Sequence, residues 1–282
     1  MSDALGTLLD LLDLERIDDD VFRGRSPESA APRAFGGQVA AQALVAAART
    51  VGEGKLPHSL HAYFVRAGDP GQSILYLVER VRDGRSFATR RVVARQHGKT
   101  IFMTSVSFAA DGPGPDHSLP LDVPLGDPEA LHGAHPRWMD EIPSTGYQIW
   151  DPFEIRMDPP AEGDGATGRS RMWLRAAGAL PEDPALHLAI LTYASDLTLL
   201  SATALSHGHL PGPNSGVALV SLDHAVWFHR TFRADSWLLF DQGSPTTAGG
   251  RGLAHARIFT PAGELAASVT QEGLLRTPDH SA

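Results

Sequence analysis

A run of prolines constrains this chain more than any other feature. Between Asp111 and Pro143 stand Pro113, Pro115, Pro120, Pro124, Pro128, Pro136 and Pro143. Proline fixes φ and removes a backbone donor, so neither a long helix nor a central strand runs through such a stretch. It reads as a linker that cuts the 282 residues in two. The division predicts an N-terminal domain over 1–110, a linker over 111–147 and a C-terminal domain over 148–282.

The two parts carry similar elements in the same order. In the first, Phe35-Gly36-Gly37-Gln38 opens an alanine-rich run, Val39 to Arg49, with strong helix propensity. Strand-like segments follow at His58–Arg66, Ile74–Arg82, Phe87–Gln96 and Thr100–Ala109. Gln96-His97-Gly98-Lys99 suits a tight hairpin turn. In the second part Ile149–Met157 and Arg169–Arg175 read as entering strands and Pro184–Leu205 as a helix. Val217–His229, Ser236–Gln242, Gly252–Thr260 and Glu264–Arg276 read as strands, with Pro261-Ala262-Gly263-Glu264 as the second hairpin turn. His61-Ala62-Tyr63-Phe64 answers His224-Ala225-Val226-Trp227, and Gly98 answers Gly263, at nearly the same offset. Duplication accounts for the shared order, with two unrelated α+β domains as the alternative. Each half then reads as one apolar helix wrapped by a curved antiparallel sheet.

Composition removes several chemistries. The chain has no cysteine, which excludes disulfides, thiolate nucleophiles, iron–sulfur clusters and cysteine zinc sites. Its net charge of -9 provides no overall basic field for nucleic acid or anionic lipid. No apolar run approaches the ~20 residues of a spanning helix, so membrane insertion is not expected. Met1 to Asp20 is acidic and lacks the regions of a signal peptide, and the final Pro278-Asp279-His280-Ser281-Ala282 is not a peroxisomal SKL signal. A cytoplasmic location is the default expectation.

Three polar residues stand in apolar surroundings. Leu186, Ile190, Tyr193, Leu197, Leu200 and Ala204 recur at helical spacing, and Asp196 falls at the edge of their stripe. A carboxylate there is costly unless paired or hydrogen-bonded; a structural aspartate tied to a loop satisfies that need as well as a reactive one. Gln271 shares the apolar face of the last strand with Leu265, Ala267 and Val269, or marks its frayed end near Gly273. Ser221 shares a face with Val217, Leu219, Ala225 and Trp227, with His224 on the other. The positions answering Gln271 and Ser221 in the first half are Val106 and His58, so this set belongs to the second half alone, as one active site in a duplicated scaffold requires.

Several segments together resemble the acyl-CoA thioesterase II family. In the second half these are Tyr193-Ala194-Ser195-Asp196, Ser221-Leu222-Asp223-His224-Ala225-Val226-Trp227-Phe228-His229-Arg230 and Val269-Thr270-Gln271-Glu272-Gly273. In the first half they are Phe35-Gly36-Gly37-Gln38, His58-Ser59-Leu60-His61-Ala62-Tyr63-Phe64 and Arg82-Asp83-Gly84-Arg85-Ser86-Phe87. The resemblance covers nearly the whole chain outside the linker. It implies an α+β tandem (double) hotdog fold, with two antiparallel sheets each wrapped around a long helix. It further implies hydrolysis of fatty acyl-CoA to fatty acid and CoA, with no metal or cofactor. By motif position the family's catalytic trio falls on Asp196, Ser221 and Gln271. The departure is Ser221, where familiar members have threonine; the hydroxyl is kept and the stiffening methyl lost. Asp196 is then the general base, or a nucleophile forming an anhydride, while Ser221 and Gln271 orient the attacking water. Gly36-Gly37 is a candidate for oxyanion donors.

Other signals are set aside. Gly163 to Gly168 spells GxGxxG but follows Pro159-Pro160 instead of a strand. There is no GxSxG, and Gly98-Lys99-Thr100 lacks the upstream glycine of a P-loop. The close pairs His132/His135 and His207/His209 read as loop residues, and His224 as structural. Arg230 is placed either against a CoA phosphate or in a solvent salt bridge. Leu222 and Val226 are expected on an outward face that a second copy covers, giving a homo-oligomer, dimer or larger. The rival functions are a hotdog dehydratase or hydratase, which needs a histidine facing Asp196, and a non-catalytic acyl-CoA-binding protein.

Overall fold

The computed structural model describes residues 3–27, 33–122, 124–131, 148–159, 168–209 and 216–276. The chain opens with elements that the sequence reading did not include. Leu5, Leu8, Leu11 and Leu12 are buried on one side of a helix, α1 (Asp3–Leu12). A short hairpin follows, β1 (Glu15–Asp18) and β2 (Val21–Gly24).

The alanine-rich run then forms α2 (Gly36–Ala48), buried along most of its length because its small side chains let the sheet close around it. Four long strands follow: β3 (Lys55–Phe64), β4 (Ile74–Asp83), β5 (Phe87–Gln96) and β6 (Lys99–Ala110). On β5 every second residue is buried, the pleat expected where one face meets a core. His97 and Gly98 take positive φ (47° and 73°) at the expected β5–β6 turn. Beyond the end of α2, the fully buried Arg90 of β5 donates to Thr50 Oγ1 (2.8 Å), Thr50 O (3.0 Å) and Asp83 (2.6 Å).

The second half repeats the plan with β7 (Phe153–Met157), β8 (Ser170–Ala176), α3 (Pro184–Ser195), α4 (Ser201–Leu205), β9 (Ala218–Ser221), β10 (Asp223–Phe228), β11 (Leu238–Ala248), β12 (Arg251–Phe259) and β13 (Leu265–Arg276). Asp183 caps α3 by accepting from Ala185 N–H at 3.0 Å, with Pro184 in the first turn where its missing donor costs nothing.

Three expectations are corrected. The single helix over Pro184–Leu205 is broken between Ser195 and Ser201. Thr192 and Ser195 hydroxyls bond back to the carbonyls of Leu188 and Thr192 (both 2.9 Å), and Thr198 is engaged by Gln242 of β11 at 3.0 Å. Such bonds compete with helix continuation, and Asp196 becomes the C-cap of α3 instead of an interior residue. The single strand over Val217–His229 is likewise broken at Leu222. Ser221 pairs with Gly273 while Ala225 pairs with Thr270, a one-residue change of register that resets which side chains face inward. Val226 is therefore fully buried, not outward, and His224 points into the core.

The third correction concerns the sheets. Two were expected; one continuous antiparallel sheet is found, in the order β1-β2-β4-β5-β6-β3-β10-β13-β12-β11-β8-β7, with β9 added on β13. The halves join through β3 and β10, the strands that answer each other in the repeat: Leu60 pairs with Val226 and Ala62 with His224. Each would otherwise be an edge with unpaired backbone groups, and pairing removes both edges. α2 and α3 pack together on the inner face of this sheet. The described part of the linker lies on the outer face of the second half, where Leu121, Leu125 and Leu131 pack on Trp173, Trp237, Leu239 and Phe259. Residues 132–147 of the linker lie outside the described residues. Among the described residues no helix is long and apolar enough to cross a membrane.

Candidate active site

The break after α3 and the bulge after β9 bring the three singled-out residues together. Gln271 is fully buried on the inner face of β13, as the alternation predicted, and its Nε2 donates to Asp196 Oδ1 at 2.5 Å. Ser221 Oγ, at the end of β9, lies 3.5 Å from the same oxygen. The hydroxyl is thus beside the carboxylate at the outer limit of a hydrogen bond. Gln271 Oε1 is buried and has no partner among the described residues, an acceptor left unsatisfied.

A fourth partner escaped the sequence reading. The backbone N–H of Gly37, in the first turn of α2, also donates to the Asp196 carboxylate. The first turn of a helix presents orphan donors and the positive end of the macrodipole, so a carboxylate is favoured there. Gly36-Gly37, singled out as candidate oxyanion donors, therefore has one of its two amides engaged by the acid itself. Neither glycine leaves free room for a side chain: at Gly36 it would meet side chains, which can shift, and at Gly37 backbone, which cannot. A Cβ on Gly36 would stand 2.7 Å from Asp196 Oδ2 and from the Phe64 ring, and one on Gly37 would stand 2.4 Å from the carbonyl oxygen of Tyr193. The signal in sequence is the Gly-Gly pair at the start of an otherwise alanine-rich helix. One half of the chain thus supplies the platform that holds the acid of the other.

Burial pushes the Asp196 carboxyl from 3.8 up to about 6, against the opposing pull of hydrogen bonds from Gln271, Gly37 and Ser221. Desolvation penalises the charged form more than three donors reward it. At neutral pH the group is mostly ionised, yet basic enough to accept a proton. Beside it lies a cavity of about 350 Å³ bounded by Gly36, Val39, Phe64, Phe102, Val220 and Ser221, among other residues. It has the mixed lining expected of a ligand site, mostly apolar with a few converging polar groups.

The neighbouring histidine hydrogen-bonds to Ser195, not to the acid. His224 is buried, its Nε2 lies 2.8 Å from Ser195 Oγ, and burial holds its pKa down at about 4. The reading of His224 as structural therefore fits its geometry. In the first half the answering positions carry no such set: Val106 is in the core and His58 Nε2 meets Ser107 Oγ at 2.8 Å.

Arg230 is resolved in favour of an ion pair: it donates to Asp116 of the linker and to Leu265 O. No group of three or more His, Asp or Glu side chains suited to a metal ion occurs among the described residues. His207 is bonded to Thr247 at 2.7 Å. His132, His135 and Gly163 to Thr167 lie outside the described residues.

The family model for the acyl-CoA thioesterase N-terminal domain matches residues 25–109, and the model for acyl-CoA thioesterase matches residues 150–274. Acyl-coenzyme A thioesterase 8 of Rattus norvegicus is 40% identical over 291 residues, covering 95% of this chain and 88% of that protein. The crystal structure of the acyl-CoA thioesterase II TesB2 from Mycobacterium marinum superposes with a TM-score of 0.81 at 42% identity, covering 96% of this chain and 98% of that one. A conserved protein with a hot dog fold from Alicyclobacillus acidocaldarius superposes with a TM-score of 0.78 at 18% identity, covering 96% and 98%, a likeness of fold alone. The architecture is thus that of the hotdog thioesterases, and at this identity over nearly its full length the chain belongs to the acyl-CoA thioesterase II family.

Proposed function

We propose that this protein hydrolyses fatty acyl-CoA thioesters, and that Asp196, Ser221 and Gln271 hold the attacking water. The observation that carries the reading is the convergence of Gln271 (2.5 Å) and Ser221 (3.5 Å) on one oxygen of a half-buried carboxylate beside a largely apolar cavity. Water held between Asp196, the Ser221 hydroxyl and Gln271 Oε1 attacks the carbonyl carbon while Asp196 takes its proton. The tetrahedral intermediate collapses as the carbon–sulfur bond breaks. Asp196 returns the proton to the departing CoA thiolate, leaving carboxylic acid and thiol. The raised carboxyl pKa suits both transfers.

Each half, 1–110 and 148–282, acts on this view as one hotdog unit around its own helix, with 111–147 as the connection. His224 is engaged by Ser195 and not by the acid, which weighs against a dehydratase pairing the two. The exposed Tyr63 and Met103 on the uncovered first half support a homo-oligomer, which light scattering would test.

The test of the function is release of free thiol from saturated acyl-CoAs of short to long chain. Thiol and free acid should appear in equal amounts. Ser221→Ala should lower kcat by about 10–100-fold, within the range for a positioning or acid–base group, while Ser221→Thr should keep most of it. Formation of a hydroxyacyl or enoyl product with no thiol would overturn the reading. Single turnover in heavy-oxygen water separates water attack from an anhydride, since only the anhydride leaves label in Asp196.

A further inference from the structure

The cavity beside Asp196 has a charged rim that the hydrolytic groups do not use. Arg33 and Arg66 both line it and both are exposed, whereas Val39 and Phe102 of the same lining are buried. Two segments distant in sequence are tied together there. Ala34 N–H donates to Gly68 O at 2.8 Å, and a Cβ on Gly68 would stand 3.3 Å from that of Ala34. Val65 and Arg66 N–H both donate to Ile101 O (2.8 and 3.1 Å). The Arg66 guanidinium is itself tethered, with Nη1 donating to Thr100 O at 2.8 Å. A guanidinium has five donors, so this tether fixes its direction and uses one of them. The acid of the same segment, Asp69, is taken up by His97 Nε2 at 3.0 Å. Arg230, the other cation considered for an anion, is committed to Asp116 and Leu265.

Charge decides which end of a substrate belongs at this rim. The chain as a whole carries -9 and repels a polyanion, so a multiply phosphorylated substrate needs a local cationic docking point. Guanidinium groups match phosphate oxygens in pairs, whereas an aliphatic tail laid over them would desolvate charge without return. We propose that Arg33 and Arg66 receive the phosphate groups of the CoA moiety, with the cavity between them and Asp196 holding the pantetheine arm. The inference rests on the thioesterase reading and adds the direction in which the substrate lies: CoA over the first half's rim, the acyl chain away from it.

The experiment compares a saturated acyl-CoA with the matching acyl-pantetheine thioester, which has the same reacting bond and no phosphate. Arg33→Gln, Arg66→Gln and the double variant are assayed by thiol release, with thermal midpoints checked against the parent. A lost charge-assisted contact should raise KM for acyl-CoA about 10-fold per arginine with kcat little changed. KM for acyl-pantetheine should stay within about 2-fold, and the parent's preference for acyl-CoA should weaken as salt rises. An equal rise in KM on both substrates, or none on acyl-CoA, overturns the assignment of the two arginines while leaving thioester hydrolysis standing. Failure of the parent to release thiol from either substrate overturns the thioesterase reading, and this inference with it.

Discussion

Replacing Asp196 by asparagine separates a reactive carboxylate from a structural one, because the two readings give opposite signs for stability. The carboxyl titrates at about 6 in the folded protein against a reference of 3.8. Below the lower value the group is protonated in both folded and unfolded chains and contributes nothing. Between the two values only the folded chain binds the proton, so stability falls as pH rises. Above about 6 the cost of the buried charge is fully present, and the gap from 3.8 corresponds to about 3 kcal/mol. Asparagine removes the charge and keeps an oxygen for the Gln271 donor. Near neutral pH the variant should therefore be about 1–3 kcal/mol more stable than the parent, and the gap should close as pH falls toward 4. At this chain length each kcal/mol moves the thermal midpoint by about 2–4 °C. Turnover should drop by about 10²–10⁴-fold, the usual worth of a positioned general base. Midpoints of both proteins from pH 4 to 8, with thiol release measured in parallel, make the test. If the variant is instead less stable at neutral pH, with a pH dependence parallel to the parent's, the carboxylate is a helix cap whose hydrogen bonds outweigh its burial. Retained turnover would remove the base assignment on its own.

Because the ionised form is the active one, kcat/KM should fall about tenfold per pH unit as pH drops below about 6, read from a pH–rate profile on one acyl-CoA. Gly36→Ala should fold, since the atoms its Cβ would meet belong to the Asp196 and Phe64 side chains, which can shift. Its new Cβ, 2.7 Å from Asp196 Oδ2, should displace the carboxylate and lower kcat by about 10–100-fold, with Gly36→Ser no better. Arg90→Met should leave the active-site chemistry intact but cost about 2–4 kcal/mol in urea denaturation, because the Thr50 carbonyl beyond α2 loses its buried donor.

Much of the architecture was legible along the chain because its causes are local. Alanine content fixed α2, Val/Ile/Phe segments fixed β3 to β6, Asp183-Pro184 fixed the start of α3, and His97-Gly98 fixed a turn through positive φ. Gln271 was placed correctly because β13 keeps strict alternation through Ala267, Val269 and Gln271. Where alternation or helical phase is interrupted, sequence reasoning failed. Simple alternation puts Val226 on the wrong face because the bulge at Leu222 is set by pairing with β13, not by the residues of β10. Helical spacing alone runs the helix through Asp196 too far because Gln242, distant in sequence, engages Thr198 where the helix stops. The acidic residues of α1 mask its signal, although its leucines recur at helical spacing.

What the sequence determined by itself was the order of helix and strands in each half, the absence of cysteine chemistry, and the three side-chain types on which the proposed chemistry rests. Those follow from composition, periodicity and motif, which are written along the chain. Only the tertiary structure decided that the halves share one sheet through β3 and β10, and that a glycine amide at the start of one helix holds the acid at the end of another. It also decided that Asp196 titrates near 6, since a pKa depends on how much water the surrounding packing excludes and which donors it brings within reach. Those quantities belong to neighbours in space, and no spacing along the chain encodes them.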